Sequence, residues 1–330
     1  MSPAPEPVVG IGNAIVDVIA HADDTFLAAE AMAKGMMTLI DADRAETLYG
    51  RMGPAVEISG GSAANTMAGI ASLGGRPAFI GKVRDDQLGE IFAHDIRAAG
   101  VTFRTLPAKE GPATARCLIF VTPDAQRTMN TFLGASVELG PEDVEEEQIA
   151  SAGIVYLEGY LWDRPRAKEA FRKAARIARE AGGKVALTLS DPFCVERHRA
   201  EFQELVKGPV DILFANEAEI RALWQVADFD KALGTTRGLV EMAALTRSEK
   251  GSVVLAGGRT DKVEAEPVGR LVDTTGAGDL FAAGFLHGLT KGCPPIVAAR
   301  MGAIAAAEVI SHVGARPERP LAALVEERLG

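Results

Sequence analysis

Short apolar runs alternate with amphipathic stretches along most of this chain. Runs of strand length fall at residues 8–12, 15–20, 78–83, 114–121, 128–132, 154–157, 184–189, 211–214 and 252–255. Helical periodicity covers residues 63–73, a stretch ending near residue 99, and residues 166–181. Strands that alternate with helices predict an α/β fold with a doubly wound, mostly parallel sheet. We expect residues 15–20 to continue the first strand.

Polar residues follow several of the predicted strands at the point where each ends. Because ligands bind at the carboxyl ends of strands in such sheets, these residues are expected to share one cleft. They are Glu158, Ser190, Asp191, Asn216 and Thr246.

Residues 271–286 form the stretch with the clearest chemistry. An apolar lead-in reaches Asp273, Gly276-Ala277-Gly278 follows, and Asp279 opens an amphipathic run. Such a turn into a helix suits an anion, because the first helical N–H groups are unpaired and the helix dipole is positive there. Asp279 next to an anion site suggests a general base, although Asp is also a common helix cap.

Composition narrows the possible partners. The 330 residues carry a net charge of −10, which favours neither nucleic acid nor an anionic membrane as a partner. The three cysteines are widely spaced and the five histidines are scattered, so we expect reduced thiols and no zinc site. Residues 1–7 lack the basic and apolar regions of a signal peptide, no stretch has the length of a membrane span, and we expect a cytoplasmic protein.

The sequence Gly10-Ile11-Gly12 has a superficial likeness to a dinucleotide-binding fingerprint. The third glycine position is Ile15, and a β-branched run follows where a helix would be required. A dehydrogenase is therefore disfavoured, and no Walker A sequence occurs.

Two motifs together resemble those of the ribokinase-like (PfkB) carbohydrate and nucleoside kinases. Residues 273–279 (Asp-Thr-Thr-Gly-Ala-Gly-Asp) resemble the second family signature, and residues 60–65 (Gly-Gly-Ser-Ala-Ala-Asn), running on to residues 74–75, resemble the first. The resemblance extends from about residue 10 to residue 320. It implies one ribokinase-like domain over residues 1–330, with strands of a small β-lid from about residues 13–58 and 107–133. Met36 and Met37 are then expected to pack in the lid or the core.

The resemblance implies an acceptor site in the first half of the chain. Asp17 would bind sugar hydroxyls, since a carboxylate accepts two hydroxyl protons, and Asn65 would contact the sugar ring unless it only satisfies the helix start. Arg127 would reach phosphate or substrate, or would be a solvated hairpin charge. The predicted acceptor residues are Asn13, Asp17, Gly60, Gly61, Asn65, Arg127 and Glu158.

The donor site is implied in the second half. Asn216 and Glu219 resemble the family's Asn-x-x-Glu pair, associated with Mg²⁺ through water, although the same tetrapeptide is an ordinary helix start. Residues 246–251 resemble the nucleotide loop, with Ser248 where the family usually has glycine. The predicted ATP contacts are Asn216, Thr246, Gly251 and Gly278, with the alanine-rich helix at residues 300–309 beside the adenine. Some family members bind K⁺, here near Asp273 and Thr275.

The predicted reaction is transfer of the γ-phosphoryl group of ATP to a primary hydroxyl. Asp279 is the base, and the N–H groups of Gly276, Ala277, Gly278 and Asp279 stabilise the phosphoryl charge. Residues 187–193, 210–219 and 314–320 resemble the adenosine kinase branch, so adenosine is the favoured acceptor, although Asp191 is atypical of that branch. A sugar such as ribose, fructose or 2-keto-3-deoxygluconate, and a non-catalytic binding protein, stay open as alternatives, as do monomer and homodimer. Aromatic candidates to stack a purine are Phe132, Tyr160, Trp162 and Phe193.

Overall fold

The structure is a computed structural model that describes residues 7–124 and 126–330. Of the N-terminal residues 1–7 considered above, all except Pro7 therefore lie outside the described residues. In the described part, no helix combines the length and the apolar character needed to cross a membrane.

Fourteen strands in the described residues form two sheets. The strands are β1 Val8–Ile11, β2 Ile15–His21, β3 Met37–Leu39, β4 Ala55–Gly60, β5 Pro77–Ile80, β6 Thr102–Phe103, β7 Ala115–Val121, β8 Arg127–Phe132, β9 Ile154–Glu158, β10 Lys184–Thr188, β11 Ile212–Asn216, β12 Met242–Thr246, β13 Ser252–Ala256 and β14 Arg259–Val263. The helices are α1 Asp24–Ala29, α2 Ala42–Tyr49, α3 Ser62–Ser72, α4 Gln87–Ala98, α5 Glu146–Ala150, α6 Pro165–Glu180, α7 Pro192–Lys207, α8 Glu217–Trp224, α9 Phe229–Thr236, α10 Ala277–Thr290, α11 Pro295–Val309 and α12 Leu321–Leu329.

The large sheet has nine strands in the order β14-β13-β12-β11-β10-β9-β1-β5-β6. Neighbouring strands from β12 to β6 in this order pair in parallel. β13 pairs antiparallel with β12 and with β14. Helices cover both faces, with α3, α10 and α11 on one side and α6 to α9 on the other. This double coverage explains the nearly continuous apolar strands. The predicted doubly wound, mostly parallel sheet is confirmed.

The small sheet has five strands in the order β3-β8-β7-β2-β4. One face, with Val16, Val18 and Phe120, packs into the main core beside α1 and α2. The opposite face carries Ile15, Ile19, Cys117, Ile119 and Met129 in a separate apolar cluster. Because side chains alternate along a strand, Asp17 lies on this second face between Ile15 and Ile19.

The prediction that residues 15–20 continue the first strand is wrong. β1 ends at Ile11 in the large sheet, and β2 begins at Ile15 in the small sheet. Residues 12–14 cross between the sheets. Glu158 accepts from Asn13 N and Nδ2, and Gly12 N donates to Ile80 O at 3.2 Å. The sequence could not indicate this crossing, because the residues on both sides of it are apolar.

Met36 and Met37 are not core residues. They are 58% and 46% exposed. Met37 begins β3, an edge strand of the small sheet, and Met36 directly precedes it, so of the two expected locations the structure excludes the core. The alanine-rich stretch at residues 300–309 does form a helix, as the larger part of α11.

Candidate active site

Asp279 is the third residue of α10, and it does not cap that helix. α10 begins after Gly276, whose φ of 79° is left-handed, and no side chain caps the helix start. Instead, Oδ1 of Asp279 accepts from Ser62 Oγ at 2.6 Å, and Oδ2 accepts from Asn65 Nδ2 at 3.1 Å. Burial raises the pKa of Asp279, while these two donors and the charge of Arg316 oppose that rise. The carboxylate is therefore fixed between α10 and α3.

Backbone N–H groups at the start of α10 are available for an anion. Among the described residues, the N–H groups of Gly276, Gly278 and Asp279 have no backbone or side-chain acceptor. The N–H of Ala277 instead donates to Thr274 O at 3.2 Å, so it could bind an anion only if that turn opened. A Cβ added to Gly278 would meet no atom within 4 Å, so open space adjoins this backbone. Both features fit a phosphoryl group here.

Asp273, in the turn before α10, is fully engaged by protein donors. Oδ1 accepts from Thr275 N at 2.9 Å and Oγ1 at 2.7 Å. Oδ2 accepts from Gly314 N at 3.0 Å and pairs with the buried guanidinium of Arg127. A carboxylate offers about four lone-pair positions, and all are taken here. The residues present therefore do not fit K⁺ ligation by this side chain, and Arg127 is not a solvated charge.

Four predicted acceptor residues come together where the two sheets meet. A Cβ on Gly60 would lie 2.5 Å from Asp17 Oδ2, and one on Gly61, whose φ is +98°, would lie 2.2 Å from Asn13 O. Only glycine permits these approaches. Neither oxygen of Asp17 accepts a hydrogen bond from a described residue, and burial raises the pKa of Asp17 to about 6. An unpartnered carboxylate in this place suits hydroxyl donors.

Asn65 joins this acceptor group to Asp279. Its side chain donates to Asp279 and not to the helix backbone. The alternative that Asn65 only satisfies backbone groups at the helix start is therefore not supported. Its Oδ1 is buried and has no partner among the described residues. A buried acceptor is costly when unpaired, so this oxygen favours a ligand that donates a proton.

Glu158 is only 1% exposed and bonds to protein groups. Besides Asn13, it accepts from Ala63 N at 2.8 Å, in the first turn of α3. Since Gly61 offers no side-chain cap, Glu158 caps α3 from another strand. Burial raises its pKa to about 7. Its position supports the helix that carries Ser62 and Asn65.

A cavity of about 780 Å³ extends from Asp279 along the carboxyl ends of the strands. Its walls include β11 to β13, residues 265–268 and the alanine-rich face of α11 with Ala303, Ala306 and Ala307. Its acidic residues are Glu219, Glu249, Glu266 and Asp279, and no Lys or Arg is among its described lining residues. Anion binding in this cavity depends on backbone N–H groups and on added cations.

The predicted nucleotide loop lines this cavity. Thr246, Ser248, Glu249 and Gly251 face it. Ser248 has a φ of +51°, which explains why glycine usually stands in the motif. A Cβ on Gly251 would lie 2.0 Å from Val263 O, so this position requires glycine for packing as well.

Asn216 and Glu219 form a reciprocal cap at the start of α8. Glu219 N donates to Asn216 Oδ1 at 2.9 Å, and Asn216 N donates to Glu219 Oε2 at 3.0 Å. Burial raises the pKa of Glu219 to about 7, and Asp191 and Asp279 also raise it. This like-charge cluster fits a dication, but no three acidic, His or Cys side chains in the described residues could hold one together. The site therefore fits Mg²⁺ held through water.

The four aromatic residues that could stack on a purine differ in their burial and contacts. Trp162 is buried against Phe171 and Phe202 and cannot stack on a ligand. Tyr160 OH donates to Ser190 O at 3.3 Å, beside the cavity. Phe193 is 71% exposed, and Phe132 contacts the Arg116 guanidinium.

The sequence analysis assigned no site role to Arg316, which it included only in the stretch 314–320 that resembles the adenosine kinase branch. Its guanidinium donates to Ser59 O, Ser59 Oγ and Ala64 O at the entrance to α3. The contact of Ser62 with Asp279 was also not predicted. No local pattern marks either residue, although Ser62 lies within the first signature.

A carboxylate held at the end of a nucleotide-sized cavity, beside free helix-start N–H groups, suits phosphoryl transfer to a hydroxyl. Comparison with known proteins leads to the same class. The chain belongs to the pfkB family of carbohydrate kinases, whose sequence profile matches residues 31–321. The predicted family is confirmed, and the protein is a phosphotransferase with an alcohol group as acceptor.

Individual relatives include both nucleoside and sugar kinases. The solved adenosine kinase from Sinorhizobium meliloti is 56% identical, with 98% of this chain and 100% of that chain covered and a TM-score of 0.91. A solved probable sugar kinase from Rhizobium etli CFN 42 is 51% identical, with 98% and 99% covered and a TM-score of 0.91. The ATP-dependent ribose-1-phosphate kinase of Halopiger xanaduensis is 33% identical over 233 residues, 69% of this chain and 72% of the relative.

Proposed function

We propose that this protein transfers the γ-phosphoryl group of ATP to the primary hydroxyl of adenosine. The observation that carries the proposal is the position of Asp279. Its carboxylate borders the 780 Å³ cavity and also contacts Asn65, which belongs to the acceptor group around Asp17. A base in this position reaches a donor on one side and an acceptor on the other.

The chemistry follows from these residues. The acceptor hydroxyl gives its proton to Asp279 while its oxygen bonds to the γ-phosphorus. The bond from that phosphorus to the bridging oxygen breaks, and ADP leaves with the electron pair. The N–H groups of Gly276, Gly278 and Asp279 stabilise negative charge on the transferred group. The proton on Asp279 then passes to solvent.

Mg²⁺ belongs to the proposal because the cavity offers no cationic side chain among its described lining residues. When bound, the ion would neutralise charge on the β- and γ-phosphates. Asn216 and Glu219 would hold its water ligands.

Adenosine is supported as acceptor by the apolar surroundings of Asp17. The same face of the small sheet carries the half-buried side chains of Ile15 and Ile19. A purine next to the ribose would cover this surface, whereas a free sugar would leave it in water. The full-length likeness to the Sinorhizobium meliloti adenosine kinase points to the same acceptor.

A sugar or sugar phosphate is the second candidate acceptor. Arg127 is buried, its charge lowers the pKa of Asp17, and its Nε has no partner among the described residues. A spare guanidinium N–H near the acceptor group would suit a phosphate. The likeness to the probable sugar kinase of Rhizobium etli keeps this alternative in the test.

We further propose that the small sheet acts as a lid within a single domain. Asp17, Gly60 and Arg127 lie on its strands, while Asp279 belongs to a helix on the large sheet. Closure over a bound acceptor would exclude water and suppress hydrolysis of ATP. The three cysteines are free, which accords with the proposed cytoplasmic location.

The test is coupled ADP release with Mg·ATP and a panel of adenosine, inosine, guanosine, ribose, ribose 1-phosphate, fructose and 2-keto-3-deoxygluconate. We expect adenosine to give the highest kcat/KM, and Asp279→Asn to abolish most of it. Preference for a sugar or sugar phosphate would overturn adenosine as acceptor and leave the base assignment standing. Tight adenosine binding without turnover would support a non-catalytic binding protein instead.

A further inference from the structure

We propose that Arg316 is a positioning residue that holds an unpaired positive charge beside Gly60 and the start of α3, where the acceptor-binding carboxylate Asp17 and the base Asp279 are held. The inference rests on the proposed function of Asp279 as the general base.

All the hydrogen-bond partners of Arg316 are neutral. Nε and Nη2 donate to Ser59 O at 3.1 and 2.7 Å, Nη2 donates to Ser59 Oγ at 2.9 Å, and Nη1 donates to Ala64 O at 3.0 Å. No described carboxylate lies within ion-pair distance of it, in contrast to Arg127 with Asp273. The charge of Arg316 is thus held in place without being paired.

The hydrogen-bond partners of Arg316 lie on both sides of Gly60 and Gly61, the two glycines of the predicted acceptor site. Ser59 precedes Gly60 and Gly61, and Ala64 adjoins Asn65 in α3. Burial lowers the pKa of Arg316 to about 10, so it stays protonated at neutral pH. Its charge in turn lowers the pKa of both Asp17 and Asp279, which burial alone would raise.

The loop that carries Arg316 also contacts the phosphate side of the site. Gly314 N donates to Asp273 Oδ2, and a Cβ added to Gly276 would lie 2.8 Å from the Ala315 Cβ. Glu308 fixes the loop, because its Oε1 accepts from Glu318 N at 3.0 Å and Arg319 N at 2.9 Å. Arg316 is thereby placed by the structure that shapes the start of α10.

Other charged groups also interact with Arg316, Asp17 and Asp279. Asp95 on α4 faces Arg316 and also accepts from Ser59 Oγ at 2.5 Å. Arg127 on β8 acts on Asp17, whereas Glu158 and Glu219 each feel the charge of Asp279. Among the cations in the described part of the chain, Arg316 acts on both Asp17 and Asp279.

The experiment compares pH profiles of kcat and kcat/KM for the wild type, Arg316→Gln and Arg316→Lys, with adenosine as acceptor. Arg97→Gln is the matched control, since Arg97 donates twice to Phe103 O away from the site. In Arg316→Gln we expect the acid limb to move upward by about one pH unit, because an opposite charge nearby shifts a carboxyl pKa by about 1–3 units. Arg316→Lys should keep the wild-type limb, since it keeps the charge, and so should Arg97→Gln.

A uniform fall in rate with an unmoved acid limb in Arg316→Gln would mean that Arg316 only supports the loop, and would overturn the proposal. The same conclusion follows if the limb of Arg316→Lys moves as far as that of Arg316→Gln. If Arg316→Gln does not fold by circular dichroism, Arg316→Met replaces it as the uncharged variant. Wild-type protein without turnover, or an active Asp279→Asn, would instead refute the proposed function, so the two failures are distinguishable.

Discussion

Asn65 and Asp279, 214 positions apart in sequence, are joined by one hydrogen bond of 3.1 Å between an amide nitrogen and a carboxylate oxygen. The bond leaves the second polar atom of Asn65, Oδ1, buried and without a partner among the described residues. One side chain therefore orients the proposed base and still offers an acceptor to a ligand.

Replacement of the base tests the chemical step. We expect Asp279→Asn to lower kcat by on the order of 10²–10⁴-fold with little change in the KM for ATP, because general-base catalysis contributes about that much. Steady-state kinetics with saturating adenosine measure both quantities. Asp228→Asn, at the cap of α9, is the control and should leave kcat unchanged. Near-normal turnover by Asp279→Asn would remove this residue from the base role.

Loss of the Asn65 amide should affect the acceptor more than the donor. We expect Asn65→Ala to raise the KM for adenosine by on the order of tenfold, since one buried hydrogen bond of about 1–3 kcal/mol is lost. The KM for ATP should change little. Asn130→Ala is the matched control, because Asn130 is also buried but donates to Met32 Sδ. Equal changes for both substrates would argue that Asn65 only supports the helix.

Binding of the acceptor should weaken in acid. Asp17 has a pKa of about 6, and its ionised form is the one that accepts two hydroxyl protons. The kcat/KM for adenosine should therefore be constant above that pH and fall as the pH decreases through it. The profile is measured at saturating ATP. An identical acid limb in Asp17→Asn would assign the titration to another group.

Relief of backbone strain at Ser248 should stabilise the protein. Its φ of +51° is in the left-handed region, where a non-glycine residue costs about 1–2 kcal/mol and glycine loses about 0.5–1 kcal/mol of that gain through chain entropy. We expect Ser248→Gly to raise the free energy of unfolding by about 0.5–1 kcal/mol in urea titrations. Ser151→Gly, where φ is −84°, should not stabilise.

Exchange of monovalent cations should have little effect on turnover. The Asp273 carboxylate already accepts from Thr275 and Gly314 and pairs with Arg127. Replacing K⁺ by Na⁺ or choline at constant ionic strength should therefore leave kcat unchanged. Strong activation by K⁺ would show that a cation binds elsewhere or displaces Arg127.

Local signals in the sequence were sufficient for the fold class and for the position of the helix start that carries Asp279. Alternating apolar runs indicated the large sheet, and the turn at residues 273–279 indicated Asp279 and its helix start, because both depend on neighbours in sequence. The crossing at Asn13 was not predictable, since residues on either side are equally apolar. The crossing is stabilised by a buried hydrogen bond that Asn13 donates to Glu158, which is 145 residues away in sequence.

The same reason explains why Arg316 was missed. An arginine directly before Pro317, in a stretch that ends at Pro320, is typical of a surface loop. Only the fold brings Ser59, 257 residues earlier, to its guanidinium. Arg127 was a candidate from sequence, but its pairing with Asp273 depends on how the small sheet meets the start of α10.

The crossing between β1 and β2 also has an evolutionary consequence. The residues proposed to transfer the phosphoryl group lie on α3 and α10 against the large sheet, whereas the surface beside Asp17 is supplied by the small sheet. Substitutions at Ile15, Ile19 or Met129 can change which acceptor fits without touching the groups that hold the phosphates. Kinases with this arrangement can thus diversify their substrates while the reaction itself is inherited intact.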